Sequence, residues 1–516
     1  MKKVIHILLI AAMAVTACKN ELDVDNPNTP TTSNFWKTGS DAQLGINAIY
    51  STFHRVGLCR WLFFVTIIRS DEGYSTSPNA DIVNNYDAFN ITDYGFGNTV
   101  SLWQDLYIGI NRANQVLDNV PAISMDETRK QQLLSEAHFM RGFFYYTLAT
   151  LWGNVPIQLH TSTSSDRPAT ASQDSVFALV ERDFTAAAAG LPVTYDAANI
   201  GRATKGAAYG MLGKTFMQQR KYQQAVTALQ WLVTGEGRGY YDLQDDYRSN
   251  FLETSENNKE SVFEIQYAVN PTDTHDDDTQ PGSDNLNYGT SIPPFFAPRP
   301  VGFTDGQARR WLIREFTTER TVSNQRDPRL PASFIYDSTD ERGPQFTMVY
   351  GRTFASLGYS DDPAAVPNTR DVYFRKLLND ATMNGEVFHS GNNYRYLRYA
   401  DVLLLYAEAL NATNQTSSAY QWVDAVRNRA GLAPLSTVRP GLTTDEFLAQ
   451  LKHERITELS GEGHRWEDLA RWGDLGPQLA PRDPGFANFE KNRDELLPIP
   501  QLDLDINQNL EQNPNY

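Results

Sequence analysis

Two cysteines in 516 residues, Cys18 and Cys59, allow one disulfide at most, so covalent staples do not define this fold. A chain of this length can stand on its core without them. Positive charge is also scarce: 45 Lys and Arg face 62 Asp and Glu, a formal net charge of −17. Phosphate backbones would be repelled by that balance, which argues against nucleic acid as a partner. Electrostatic attachment to anionic lipid headgroups is disfavoured on the same ground. Long apolar runs are missing beyond the first seventeen residues. The run WLFFVTII (61–68), between Arg60 and Arg69, is far shorter than the ~20 residues of a bilayer span and belongs in a core. Nucleotide and nucleophile motifs are missing too. GEGRGYY (235–241) lacks the spacing of a dinucleotide fingerprint, and no Walker A run or G-x-S-x-G elbow occurs.

What is present begins with the leader. Lys2 and Lys3 precede an apolar stretch, Val4 to Val15, interrupted only by His6, and then Thr16-Ala17-Cys18. This is the layout of a secretory signal over 1–17. A small residue directly before cysteine resembles the bacterial lipoprotein signal, in which Cys18 becomes the lipidated first residue, although Val15 stands where Leu is usual. Lipidation of Cys18 would leave Cys59 alone and no disulfide. The acidic stretch 19–23 resembles signals that send lipoproteins to the outer face of the outer membrane. Residues 18–34, with DNPNTPTTSN at 25–34, read as an extended tether.

The chain as a whole is 41% hydrophobic and 12% aromatic, enough for a large core. Apolar residues recur at helical spacing over 41–54, 99–119, 127–151, 172–189, 202–217 and 221–234, and again over 397–412, 416–430, 444–460 and 465–471. Between about 236 and 395 Gly, Pro, Asn and Asp become frequent. Strand-like runs appear there at 262–269 and 346–354, with one short helix near 307–318. Two segments fit a tetratricopeptide register, with small residues where paired helices touch. Tyr209, Leu212, Gly213 and Phe216 precede Ala225 and Leu229; Leu403, Tyr406, Ala407 and Leu410 precede Ala419 and Val423. The expected fold is therefore mostly α. A tetratricopeptide-like helix-pair scaffold would carry an irregular, loop-rich half with short strands, all in one unit over 35–516.

Chemistry is sparse. His453-Glu454 opens like a zinc-protease helix, but the second His of that motif would fall at Thr457, so the motif fails. The charges around it, Arg455, Glu458, Glu462, Arg465, Asp468 and Arg471, recur at threes and fours and read as a structural ion-pair network. Asp71-Glu72 are adjacent carboxylates that an extended strand would point opposite ways, against a glycosidase pair. Asp276, Asp277 and Asp278 offer hard oxygen ligands for Ca²⁺ without the EF-hand order, and a solvated loop is the simpler reading. Two aromatic clusters in loop-like segments remain. Tyr74, Tyr86, Phe89, Tyr94 and Phe96 lie in 71–99; Tyr288, Phe295, Phe296 and Phe303 lie in 285–303, with Trp311 following. Aromatic faces among Asn, Asp and Arg suit sugar rings, and would equally suit an extended peptide. The candidate ligand residues are Tyr74, Tyr86, Tyr94, Phe96, Tyr288, Phe295, Phe296 and Trp311, with Asp71 and Asn85 as polar partners. The alternative for each ring is that it merely plugs its own loop into the core.

Several segments together resemble a known family. They are LDVDNP after Cys18, WQDLYIGINRANQVLD (103–118), EAHFMRGFFYYTLATLWGNVPI (136–157), GRATKGAAYGMLGKTFMQQRKYQQAV (201–226), YRYLRYADVLLLYAEALN (394–411), HERITELSGEGHRWEDLARWG (453–473) and the closing LLPIPQLDLDINQNLEQNPNY (496–516). In that order and spacing they resemble the SusD/RagB-like outer-membrane nutrient-binding lipoproteins of Bacteroidetes. The resemblance implies helix pairs cradling an irregular half. It also implies a lipid-anchored, surface-exposed receptor, without enzymatic chemistry, that partners a TonB-dependent, SusC-like barrel and takes up oligosaccharide or, in some relatives, peptide. The shared motifs are scaffold motifs, so they transfer no ligand-binding residue. A surface glycosidase is the competing reading from a different class, and no carboxylate motif supports it.

Overall fold

Helices form where the apolar spacing places them. A computed structural model describes residues 35–269, 288–336, 346–359 and 371–516; Cys18, the tether and the Asp276–Asp278 loop lie outside the described residues. The first helix, α1 (Gly39–Tyr50), starts at a Thr38/Asp41 capping box. One wide turn, Gly57–Trp61, leads into α2 (Leu62–Ile68), which is the buried apolar run. Next come strand β1 (Gly73–Ser75) and the long helices α3 (Gly97–Asn119) and α4 (Glu127–Leu151). They are followed by α5 (Gln173–Gly190), α6 (Lys205–Gln218) and α7 (Tyr222–Val233). Asp126, Ser172 and Thr204 accept first-turn N–H groups at the starts of α4, α5 and α6.

The middle of the chain supplies β2 (Ser261–Ile265), β3 (Gly306–Ala308) and the short α8 (Trp311–Phe316). The helix expected over 307–318 is shorter than its pattern because residues 306–308 pair antiparallel with β1 instead. The strand-like 346–354 run is a hairpin of two-residue strands, turned by Tyr350 and Gly351 at φ 54° and 64°. Then β4 (Tyr394–Arg398) pairs with β2 and runs directly into α9 (Tyr399–Ala412), followed by α10 (Thr416–Arg429), α11 (Thr444–Leu459) and α12 (Arg465–Trp472).

Consecutive helices pack on one another from α3 through α7; α9 then packs on α7, α10 and α11. The tetratricopeptide register is visible at its contacts. A side chain at Gly213 would collide with Leu229, and Ala407 and Ala419 are fully buried between α9 and α10. Tyr209 stacks on Trp231 with centroids 4.9 Å apart. The architecture is mostly α, with small two-stranded pairings, most of them made by strands of the irregular half. One hydrophobic cluster runs from Ala42 to Ile499 and takes in both halves. The C-terminal segment returns to the α4 turn, where Trp152 Nε1 donates to the Pro498 carbonyl at 3.0 Å and Asn513 donates to that of Trp152 at 2.6 Å. Among the described residues no helix is long and apolar enough to cross a membrane.

Ion pairs bind the irregular half to the scaffold. The six charges named in the 455–471 stretch are all buried and paired, as is Glu467, which Lys214 meets at 2.8 Å. Arg455 Nη1 donates to Asp401 and its Nε to Asp468, each at 2.7 Å, and Asp468 also holds Arg471 at 2.9 Å. Most partners lie outside the stretch, however. Glu458 accepts from Arg398 and Arg429 at 2.9 and 2.5 Å; Glu462 accepts from Arg398 and Lys376, each at 2.7 Å. Spacing along one helix shows which charges share a face, but not which residues another element brings to that face.

Candidate ligand-binding face

The two aromatic clusters of the sequence meet at the β1–β3 pair. Tyr74 lies opposite Gln307, and its hydroxyl donates to Gln307 Oε1. Thr76 Oγ1 donates to the Thr304 carbonyl at 2.5 Å, so segment 71–76 is fastened along 304–308. The residues just before β1 anchor it. Asp71 takes Arg465 in a bidentate pair at 2.6 and 2.9 Å and Arg482 at 3.2 Å, while its carbonyl accepts from Trp311 Nε1 at 2.6 Å. Burial raises the Glu72 carboxyl to about 8, and its Oε2 accepts the Gly461 N–H at 2.9 Å. Neither carboxylate of this pair faces solvent. Behind Tyr74, the Arg309 guanidinium lies 4.4 Å from the ring centroid and reaches Asp87 and Asp483 at 2.8 and 2.7 Å. Burial lifts the Asp483 carboxyl to about 7 in spite of Arg309.

Beside this pair stands a trio of rings. Phe295, Phe303 and Phe388 have centroids 5.5 to 5.9 Å apart. Phe303 is 44% exposed; Phe295 and Phe388 are half-buried, Phe295 lying over Trp61 and Phe64. Arg60, itself buried, stacks 4.4 Å from the Phe295 centroid and 5.8 Å from that of Phe388, and its Nε donates to Ser291 Oγ at 2.7 Å. Bare Gly57 makes this placement possible. It lets the wide turn approach α3 until its N–H donates to Asp105 Oδ2 at 2.9 Å, where a Cβ would strike the Ser101 carbonyl. Phe388 arrives because segment 386–390 runs beside 288–303. The Glu386 N–H donates to the Val301 carbonyl at 2.9 Å, and Thr290 and Ser390 exchange bonds at 2.8 and 2.9 Å. Tyr288, 40% exposed, edges the His54 ring at 5.9 Å on the same run.

Burial removes six of the ten sequence candidates from any such surface. Asp71, Asn85, Tyr86, Phe96, Phe296 and Trp311 are all buried. Asp71 and Trp311 belong to the anchor described above. Tyr86 donates or accepts with Thr99 Oγ1 at 3.0 Å and packs on Phe96; Asn85 donates to the Asp81 carbonyl at 2.8 Å; Phe296 lies between Phe64 and Phe374. For these residues the loop-anchoring alternative holds. Tyr94 is half-buried against Tyr516, away from the ring trio in contacts and sequence. Tyr74, Tyr288 and Phe295 remain, joined by Phe303, Phe388 and Arg60. The only signal for Phe388 is a single ring in the polar run NGEVFHS (384–390), and Arg60 reads as the flank of an apolar run. Exposed flat rings braced from behind by a guanidinium can stack on sugar C–H faces or on apolar side chains.

Comparison with known proteins identifies the family. A family model described as the SusD family matches residues 259–516, and one described as starch-binding associating with outer membrane matches 68–217. The chain is 27% identical to SusD-like protein P2 of Formosa agariphila, over 100% of both chains. A solved SusD superfamily protein from Bacteroides vulgatus is similar at 25% identity and TM-score 0.80, covering 93% of this chain and 100% of that one. A laminarin-binding SusD-like protein is similar at 25% identity and TM-score 0.73, with the same coverage. This chain belongs to the SusD family.

Proposed function

We propose that the chain is a glycan receptor, held by lipid on Cys18 at the outer face of the outer membrane and handing oligosaccharide to a TonB-dependent, SusC-like barrel. The observation that carries the reading is the Phe295–Phe303–Phe388 trio: three rings in mutual contact, Phe303 44% exposed, with the buried Arg60 stacked on Phe295. A laminarin-binding protein similar over nearly the whole chain favours sugar over peptide as the occupant. The receptor reading requires no turnover. Asp71 and Glu72, the adjacent carboxylates just before β1, are committed to Arg465, Arg482 and the Gly461 amide.

The test is calorimetric titration of the soluble form, beginning after Cys18, with laminarin, other polysaccharides and mixed peptides, with product analysis after overnight incubation. Binding to one glycan class without cleavage is the expected result. Binding only to peptides would overturn the ligand, and released oligosaccharide would overturn the receptor reading. Cys18→Ala should move the full chain out of the membrane fraction. Co-purification of the wild type with a barrel protein tests the partner.

A further inference from the structure

His453-Glu454 fails the zinc-protease spacing, yet the fold supplies a third donor from elsewhere. Glu319, three residues past α8, comes to the same point as this pair on α11. One donor atom from each of Glu319, His453 and Glu454 lies within 4.8 Å of the others. Two further features orient the group. His453 Nδ1 lies 2.8 Å from Glu315 Oε1, while its Nε2 is 3.9 Å from Glu319 Oε1, too far for a hydrogen bond. A carboxylate holding one ring nitrogen fixes the tautomer whose other nitrogen offers a lone pair, as the outer carboxylates do for metal-bound imidazoles. Glu454 is fully buried, and its Oε2 has no hydrogen-bond partner. A carboxylate oxygen stranded at that depth is costly unless something positive meets it.

Arg427 does not meet it. Its Nη1 pairs with Glu454 Oε1, and its Nη2 lies 2.6 Å from Glu319 Oε2, so it braces one oxygen of each carboxylate and leaves the other. Gln450 Nε2 donates to the same Glu454 Oε1 at 2.9 Å and reaches Glu319 Oε1 only at 3.4 Å. Three carboxylates, Glu315, Glu319 and Glu454, meet the Arg427 guanidinium and the His453 imidazole among the described residues, so negative charge is in excess whichever protonation state the ring adopts. A divalent cation would offset that surplus. Glu315 and Glu319 are partly exposed, which leaves a route in from solvent.

We infer that Glu319, His453 and Glu454 bind a first-row divalent cation of the Zn²⁺ class, with Glu315 orienting the imidazole. One nitrogen and two carboxylate oxygens, completed by water, suit zinc better than calcium, which prefers an all-oxygen shell. The cation would tie the segment after α8, in the irregular half, to α11 of the scaffold. The site is independent of the glycan face.

The experiment is calorimetric titration of untagged, chelator-stripped soluble chain with Zn²⁺, and separately with Ca²⁺, alongside thermal unfolding with and without each ion. Expected are one Zn²⁺ per chain with micromolar or tighter affinity, a higher Tm with Zn²⁺, and a ~10-fold or greater loss of affinity in both His453→Ala and Glu319→Gln. Co²⁺ loading should give visible d–d bands that the variants lose. Glu319→Gln, at the more exposed position, keeps the test valid if His453→Ala does not fold. Failure of the wild type to bind Zn²⁺, binding that both variants retain, or equal affinity for Ca²⁺ would each overturn the inference.

Discussion

Arg465 closes a bidentate ion pair on Asp71 across 394 residues of chain, Nε to Oδ1 at 2.6 Å and Nη2 to Oδ2 at 2.9 Å. The pair fastens the segment leading into β1, and with it the candidate ligand-binding face, to α12 of the scaffold. Burial works to raise the Asp71 carboxyl, and the charges and hydrogen bonds of Arg465 and Arg482 overcome it, so its pKa is lowered. Arg465→Met would leave a buried carboxylate with only the half-exposed Arg482, and a loss of ~3 kcal/mol is expected. Because the folded pKa lies below the unfolded one, the stabilisation exists above the ordinary carboxylate range and fades as pH falls through the depressed value. Thermal unfolding of Arg465→Met should therefore differ most from wild type near neutral pH. An unchanged Tm at pH 7 would count against this pair as an anchor. Asp71→Asn in the same chain should recover much of the loss.

Glu72, one residue on, has the opposite sign. Burial raises its carboxyl to about 8, against an ordinary value of 4.5. A folded pKa above the unfolded one means that the native state holds a proton which the unfolded chain has released, so stability falls as pH rises from about 4.5 to about 8. Glu72→Gln keeps an acceptor for the Gly461 N–H and removes the titration. The variant should match wild type at pH 5 and exceed it at pH 8. The gain should reach a few kcal/mol, because a tenfold change in a proton-binding constant is worth ~1.4 kcal/mol. Parallel Tm-against-pH curves for the two proteins would refute this.

The ring trio and the buried rings should separate cleanly under alanine substitution. Phe303→Ala removes an exposed face, so glycan affinity should drop roughly 3- to 10-fold with Tm unchanged. Trp311→Ala removes an indole that donates to the Asp71 carbonyl and lies 4.3 Å beneath Arg482, and ~3–5 kcal/mol of stability should go with it. Calorimetry and thermal unfolding on both variants test the division. Full affinity in a Phe303→Ala, Phe388→Ala double variant would move the binding face elsewhere.

Local physics explains what the sequence makes legible. Helices over 127–151 and 444–460 stand out because capping residues and 3.6-residue spacing act within one turn, and α4 and α11 match them closely. The candidate face depends instead on segments far apart in sequence: Arg60 on the turn before α2, Phe295 in the short helix Ile292–Phe296 with Phe303 in the loop after it, and Phe388 in another loop. Composition marks such loops as rich in aromatics, but it cannot distinguish a ring facing in, such as Tyr86, from one facing out, such as Phe303. That distinction is set by long-range pairings such as β1 with β3. The charged stretch at 455–471 shows the same division, since its faces follow from helical spacing while Arg398, Lys376 and Asp401 come from elsewhere in the chain.

Glycines at the helix contacts give a sharper test of the scaffold. Alanine favours a helix interior over glycine by ~1 kcal/mol, so propensity alone predicts that Gly109→Ala on α3 and Gly213→Ala on α6 would both stabilise. Packing reverses the sign at Gly109. A Cβ there runs into the flat, fully buried ring of Phe144 on α4, which cannot turn aside without disturbing Phe53 and Phe143 around it. At Gly213 a Cβ meets Leu229 Cδ2 and Cγ, and a χ1 change in this flexible side chain can carry both away. Gly109→Ala should therefore cost ~1–3 kcal/mol, and Gly213→Ala clearly less. Phe144→Leu, destabilising alone, should cost less in the presence of Gly109→Ala, and the double-mutant cycle would show a coupling of ~0.5 kcal/mol or more. Equal effects at the two glycines would mean that the contacts relax freely and that close approach does not fix the helix spacing.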